Sequence, residues 1–227
     1  MFNGYKRNLD ASINSPRKDP PWQLFYLGLG IAILALTIFS FFPSTNFLEK
    51  ITKEIFLFFL TPWFFIIFIL KEKFANFGFN LENKKQGFYL ALIALLISLF
   101  LGYFLINFSH FSKSYSIPQG ITNNFGLFIL YELVLVNIAL FFQEYFFKGF
   151  LLSLTKEKMG YYSIAFQAII YLTPLAIIST SLWNIVPLVM ISIFGGIISY
   201  KTNSFFYSYL YALLFIIFLD AYLIYLG

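Results

Sequence analysis

The sequence predicts an all-α integral membrane protein from its composition, its continuous apolar runs and the position of its basic residues. Hydrophobic residues make up 60% of the 227 residues, aromatic residues 23% and charged residues only 11%. Soluble domains carry about 25% charged residues, so this chain has too little polar surface to cover a water-soluble globule. The composition excludes a soluble enzyme, a nucleic-acid-binding protein and a disordered chain.

Seven apolar runs predict the membrane-spanning helices. A helix needs roughly 20 apolar residues to cross a hydrocarbon core of about 30 Å, whereas the strands of a barrel would alternate apolar and polar residues. The predicted spans are residues 22–42, 51–70, 88–108, 125–142, 162–178, 182–200 and 205–226. The fourth is expected to continue as a helix through Leu154.

The second span has the shortest uninterrupted apolar run, because Pro62 lies within it. Proline lacks the N–H donor of a helix interior and interrupts the helix. A re-entrant segment is therefore the alternative for residues 51–70. It would place every later segment on the opposite side of the membrane.

The basic residues lie between the apolar runs and predict the orientation. Alternate segments, beginning with the N-terminal tail, carry twelve Lys or Arg residues, including Lys148 after the fourth span, whereas the other segments carry only Lys50, Lys53 and Lys113. Because cytoplasmic segments carry the excess of Lys and Arg, the N-terminus is expected in the cytoplasm and the C-terminus outside. Residues 1–21 are expected to form a cytoplasmic tail, and residues 22–227 a single transmembrane domain.

Polar side chains within the apolar runs are the candidate functional residues. Each charged one costs about 2.5–3.5 kcal/mol at mid-bilayer, so such side chains normally face the bundle interior. They are Glu132, Asn137, Gln143, Glu144, Lys148, Gln167 and Asp220. At about 100° per residue, Asn137, Glu144 and Lys148 share one helix face. Gln143 lies beside that face, and Glu132 is offset from it.

These residues also have simpler interpretations. Glu144 and Lys148 are four residues apart near the predicted cytoplasmic end of the fourth span, where both side chains can extend to water. Asp220 is followed by Tyr222 and Tyr225. That pattern is typical of the aromatic belt at the outer membrane interface.

The sequence predicts no cofactor and no metal site. It has no Cys, and its single histidine, His110, is expected on the outer surface. Metal sites in proteins are commonly built from several His, Cys or carboxylate ligands, and no such cluster is visible here.

Three stretches resemble the CPBP intramembrane protease family. Residues 143–152, Gln-Glu-Tyr-Phe-Phe-Lys-Gly-Phe-Leu-Leu, are similar to its first motif, Glu-Glu-x-x-x-Arg. Residues 196–204, Gly-Ile-Ile-Ser-Tyr-Lys-Thr-Asn-Ser, resemble its Gly-x-x-x-Tyr-x-Arg-Thr-Gly-Ser stretch. Residues 163–171 occupy the place of the second motif, Phe-x-x-x-His. The resemblance covers about residues 125–217.

The family includes CAAX prenyl endopeptidases, bacteriocin-processing and immunity proteins, and abortive-infection proteins. The resemblance implies a multi-pass protein of a bacterial inner (plasma) membrane. It also implies that a glutamate and a histidine activate water, while a histidine and an Asn or Asp on the last core helix stabilise the oxyanion.

The chain departs from these motifs at the positions that carry the chemistry. The first glutamate position is Gln143, whose amide cannot accept a proton from water. The second-motif histidine position is Tyr171, and its aromatic partner position is Gln167. The last-helix histidine position is Ala212, with Ile216 one turn further on.

Two positions of the first motif keep charged residues. Glu144 is retained, and Lys148 stands in place of the arginine that pairs with it. We expect these two residues to be a structural pair that orients the core helices.

Three functions are open at this point. The favoured one is a catalytically degenerate CPBP-like protein that contacts membrane lipids and binds a membrane protein or a lipidated or transmembrane peptide. The second is an active endopeptidase in which Glu144 is the base and Tyr171 the proton donor. The third is a small transporter or permease component, suggested by Pro62, Pro174 and Pro187.

Overall fold

The computed structural model describes residues 21–42, 44, 46–109, 111–115, 117, 119–122, 124–178 and 182–226. Within these ranges the chain forms helices and no strand, which confirms the all-α fold class. Residues 1–20 of the predicted tail and His110 lie outside the described residues.

Seven long helices follow one another in the described part of the chain. They are α1 Trp22–Phe41, α2 Leu48–Leu70, α3 Lys84–Phe108, α4 Phe125–Met159, α5 Tyr162–Ile178, α6 Val186–Thr202 and α7 Phe205–Leu226. All except α5 are long and apolar enough to cross a membrane, α6 together with part of the 3₁₀ turn Leu182–Ile185 before it. The chain is therefore a multi-pass helical membrane protein.

Helix α5 has 17 residues and extends about 26 Å, slightly less than a hydrocarbon core of about 30 Å. It packs antiparallel to α6. Tyr161, just before α5, contacts Tyr200 near the end of α6 with ring centroids 4.7 Å apart. Further along α5, Gln167 Nε2 donates to the carbonyl oxygen of Ser192 at 2.7 Å. Helix α5 therefore runs along most of the length of α6.

Helix α2 is continuous through Pro62, so the structure differs from the re-entrant alternative. Wider π-helical turns, Ile55–Leu60 and Phe65–Leu70, flank the proline. Thr61 Oγ1 donates to the carbonyl oxygen of Phe56 at 2.8 Å. The wider turns accommodate a residue that has no N–H to donate.

Basic side chains gather at one end of the bundle, which we call the lysine-rich end. Its members in the described residues are Lys71, Lys73, Lys84, Lys85, Lys156, Lys158 and Lys201. Lys156 Nζ donates to the carbonyl oxygen of Tyr200 at 2.6 Å, and Asn80 Nδ2 donates to that of Asn203 at 2.7 Å. These contacts bring the ends of α4 and α6 and the segment after α2 together.

Lys148 does not belong to that end, contrary to the prediction. The sequence placed it in the segment after a span that ends at residue 142, but α4 continues to Met159. Its last two turns carry Lys156 and Lys158 to the lysine-rich end, while Lys148 is fully buried. Without Lys148, the sequence count for the segments predicted on that side falls from twelve to eleven of the fifteen basic residues, so the predicted charge asymmetry persists.

Two apolar clusters surround the middle of α4. The first joins α1, α2, α4 and α5 and includes Phe58, Phe146, Phe150 and Tyr171. The second joins α3, α4, α6 and α7 and includes Ile191, Tyr211, Ala212 and Phe215. Glu144 and Lys148 of α4 are fully buried among the helices that carry these clusters.

Candidate functional site

Glu144 and Lys148 form a buried ion pair at the centre of the bundle. Lys148 Nζ donates to Glu144 Oε1, and both side chains are 0% exposed. Gly195 of α6 leaves room for the amine, because a Cβ there would lie 2.8 Å from Lys148 Nζ. The alternative in which both side chains extend to water is wrong, since neighbouring helices cover this part of α4.

Hydroxyl groups from α6 and α7 complete the surroundings of this pair. Ser208 Oγ of α7 donates to Glu144 Oε2. Ser199 Oγ of α6 donates to the carbonyl oxygen of Lys148 at 2.9 Å. Both oxygens of the Glu144 carboxylate are therefore engaged, and α4 is fastened to two other helices.

Gln143 faces a different partner, which sequence reasoning missed. Its Nε2 donates to Glu54 Oε1 of α2 at 3.1 Å, and Glu54 is 0% exposed. No group in the described residues donates to Glu54 Oε2. Glu54 lies inside the predicted span 51–70, so a charge within an apolar run was the signal that could have revealed it.

Tyr171 of α5 is buried beside the ion pair without bonding to it. Lys148 Nζ lies 5.5 Å from the centroid of its ring, and the ring contacts Phe147 at 4.8 Å. Its hydroxyl has no hydrogen-bond partner among the described residues. A cavity of about 20 Å³, lined in part by Gln143 and Tyr171, is large enough for one water molecule.

The two positions of α7 that correspond to the family's oxyanion-stabilising residues, Ala212 and Ile216, carry no polar group. Ala212 is 0% exposed and presents only a methyl group, one turn after Ser208. Gln167, on α5, is likewise buried and donates to the carbonyl oxygens of Ser192 and Ile164. Gln167 therefore fastens α5 to α6.

A larger cavity of about 270 Å³ lies between α2, α4, α6 and α7. It is lined by Lys50, Tyr131, Leu135, Val136, Ala139, Leu140, Gln143, Leu188 and Ile216. Lys50 is exposed at the end opposite the lysine-rich end, and Gln143 lies deeper in the bundle. The walls are mostly aliphatic, with polar groups at Lys50, Tyr131 and Gln143.

The other polar residues of the apolar runs divide into two groups. Asn137 Oδ1 accepts a hydrogen bond from the Tyr209 hydroxyl, which confirms that Asn137 faces α7 as Glu144 does. Glu132 and Asp220 lie apart from this site, beside each other. The position of Asp220 in an aromatic belt at the outer interface stays a prediction. Asp220 is 5% exposed because α7 packs it towards α4.

The structure thus brings Gln143, Glu144, Lys148 and Tyr171 into one buried region and adds Glu54 and Ser208. The described residues contain no group of three or more metal-binding side chains. Comparisons of the chain with protein-family models, with curated proteins and with solved structures find no match.

Proposed function

We propose that this chain is a CPBP-like membrane protein that has lost peptide hydrolysis and binds a membrane partner or peptide in the large cavity. The observation that carries the proposal is the complete engagement of Glu144. Its two carboxylate oxygens accept hydrogen bonds from Lys148 and Ser208. The proposed partner is a membrane protein, or a lipidated or transmembrane peptide, in contact with the surrounding lipids.

The proposed loss of hydrolysis follows from what water attack on an amide requires. A base must reach the water and accept its proton, which typically contributes 10²- to 10⁴-fold in rate. Glu144 is fully buried and already bonded, and Gln143 carries an amide. An oxyanion donor contributes a further 10²- to 10³-fold, and Ala212 offers only a methyl group.

The cavity supports the binding part of the proposal. Two of the positions that the family resemblance singles out, Gln143 and Ile216, line it. Its aliphatic walls suit an isoprenoid chain or the apolar side chains of a peptide. In apolar pockets of this kind, a small number of polar groups is enough to fix the orientation of the ligand.

One observation favours a second function, an active endopeptidase with a different base. Glu54 places a carboxylate next to Gln143, and its Oε2 has no donor among the described residues. A carboxylate from α2 would then replace the one that position 143 lacks. Glu144 is less suited to this task because its oxygens are engaged.

Cleavage assays separate these two functions. We expect the purified protein to leave CAAX-type and transmembrane peptides intact. Cleavage that disappears in Glu54→Gln would establish Glu54 as the base, and cleavage that disappears in Glu144→Ala would assign the base to Glu144. Either result would overturn the loss of hydrolysis.

A photo-crosslinking experiment tests the binding site. A benzophenone residue at position 216, inside the cavity, is expected to crosslink a prenylated or transmembrane peptide. The same residue at position 218 is the matched control, because Phe218 is 50% exposed on the outside of α7. Equal crosslinking from both positions would show that the peptide does not enter the cavity.

The charge asymmetry supports a cytoplasmic N-terminus, and the family resemblance implies that the membrane is a bacterial inner membrane. Excess Lys and Arg mark the cytoplasmic side of membrane proteins, which supports a cytoplasmic position for the lysine-rich end. The chain has no Cys, so a cysteine in place of Lys84 gives a clean topology probe. Labelling of that cysteine from outside intact cells by an impermeant maleimide would contradict the orientation.

A further inference from the structure

Two buried acids, Glu132 and Asp220, are not used by the site described above. Glu132 lies about two turns from the start of α4, and Asp220 lies near the end of α7. Glu132 is 0% exposed and Asp220 is 5% exposed. Their carboxyl groups lie within hydrogen-bonding reach of each other, at the end of the bundle opposite the lysine-rich end.

Three of the four oxygen atoms of this pair have no donor among the described residues. Neither oxygen of Glu132 nor Oδ1 of Asp220 receives a hydrogen bond from the residues that the structure describes. A carboxylate only accepts hydrogen bonds, so two ionised carboxylates cannot bond to each other. Two like charges in a buried site also repel strongly, which favours the uptake of one proton.

Tyrosines supply the other polar contacts. The Tyr115 hydroxyl interacts with Asp220, and burial together with that carboxyl raises the pKa of Tyr115 well above its usual value. Tyr115 therefore keeps its proton and can donate a hydrogen bond to Asp220. Tyr131 is the other titratable side chain that acts on the pair, and no cation among the described side chains does so.

We propose that Glu132 and Asp220 form a proton-binding site in which one shared proton joins the two carboxyl groups. The protonated carboxyl, on Glu132, donates to the carboxylate of Asp220, whose remaining negative charge is stabilised by Tyr115. Release of the proton leaves two adjacent negative charges that push the start of α4 away from the end of α7. Tyr131 and Ile216, which neighbour the two acids on their helices, line the large cavity, so this separation changes its wall.

Dicyclohexylcarbodiimide tests the proposal, because this apolar reagent reacts with protonated carboxyl groups. The full-length protein in detergent is treated at a series of pH values, and labelled residues are identified by mass spectrometry. We expect labelling of Glu132 or Asp220 at neutral pH and its loss at alkaline pH. No labelling of either residue at neutral pH would overturn the proposal.

Glu144 is an internal control in the same sample. It is as deeply buried as Glu132 but is paired with Lys148, so it is expected to stay unlabelled. Equal labelling of Glu144 would overturn the proposal, because burial alone would then explain the reactivity. Protection of Glu132 by sodium at constant pH would also overturn it, since a metal cation would then be the ligand.

Two variants test the sharing of the proton. In Glu132→Gln the amide can donate to Asp220 without any added proton, so labelling of Asp220 at neutral pH is expected to be lost. Undiminished labelling of Asp220 would contradict a shared proton. Lys113 lies two residues before Tyr115 in the sequence, and stronger labelling in Lys113→Ala would overturn the proposal by showing that a lysine neutralises the pair.

Discussion

Glu132 and Glu144 lie on the same helix and are equally buried, but their surroundings are opposite. Glu144 accepts hydrogen bonds from Lys148 and Ser208, so its charge is balanced within the protein. Glu132 faces a second acid, and no donor in the described residues reaches its oxygens. The comparison shows that burial of a charge says little about its role until the partner is known.

The largest effect is expected from removing the cation at Glu144. Lys148→Met leaves a buried carboxylate without its partner, and breaking a buried pair typically costs about 3–5 kcal/mol. Thermal unfolding in detergent measures the loss of stability. Lys201→Met is the control, because Lys201 is exposed and its replacement is expected to change stability by less than about 0.5 kcal/mol. Equal stability of the two variants would mean that the pair is solvated.

The second effect is expected at the hydroxyl that bonds Glu144. Ser208→Ala removes a donor to a charged group, and such a bond contributes about 1.5–3 kcal/mol. Ser40→Ala is the matched control, since Ser40 bonds only within its own helix, to the carbonyl oxygen of Leu36. If both variants unfold at the same temperature as the unaltered protein, the hydrogen bond from Ser208 to Glu144 adds no more stability than the one made by Ser40.

A third, somewhat smaller effect is expected at the glycine that makes room for the pair. Gly195→Ala would place a Cβ 2.6 Å from Ser208 Oγ and 2.8 Å from Lys148 Nζ. Overpacking of this kind typically costs about 1–3 kcal/mol. Gly30→Ala is the control, because nothing lies within 4 Å of the position that its added methyl group would take. Alanine also has a higher helix propensity than glycine, so this control is not expected to lose stability. A stable Gly195→Ala protein would show that the pair can move.

The smallest effect at neutral pH is expected at the pair of acids, Glu132 and Asp220. Glu132→Gln replaces a shared proton by an amide donor, so stability is expected to change by less than about 1 kcal/mol. At alkaline pH the unaltered protein loses the shared proton and acquires two adjacent charges, whereas the variant does not. The variant is therefore expected to be the more stable of the two there. If the stabilities of the variant and the unaltered protein change in parallel with pH, the distinction drawn between Glu132 and Glu144 would be lost.

The sequence predicted much of the fold because each membrane-spanning helix is a local property of the chain. An apolar run of sufficient length must form its hydrogen bonds internally, whatever its neighbours are. The bounds of α1 and α7 agree with the predicted spans within one residue. The fourth span was predicted to end at residue 142 and its helix to continue through Leu154, whereas α4 continues to Met159.

The candidate site, too, was predicted where it depends on neighbours in the sequence and missed where it depends on distant residues. The spacing of Asn137, Glu144 and Lys148 placed them on one face, and the structure confirms this, because helix periodicity is local. Glu54 was missed because its partner Gln143 is 89 positions away in the chain. The family-like roles of these residues stay a prediction.

The sequence by itself determined that this chain is a helical membrane protein and which helix carries its polar face. Both follow from interactions between near neighbours in the chain and between the chain and lipid. Only the tertiary structure decided that the pair of Glu144 and Lys148 is fully buried, that Glu54 meets Gln143 and that Asp220 meets Glu132. Those pairings depend on how separate helices pack, and the charge of a buried group is stabilised only by the groups that packing brings within reach.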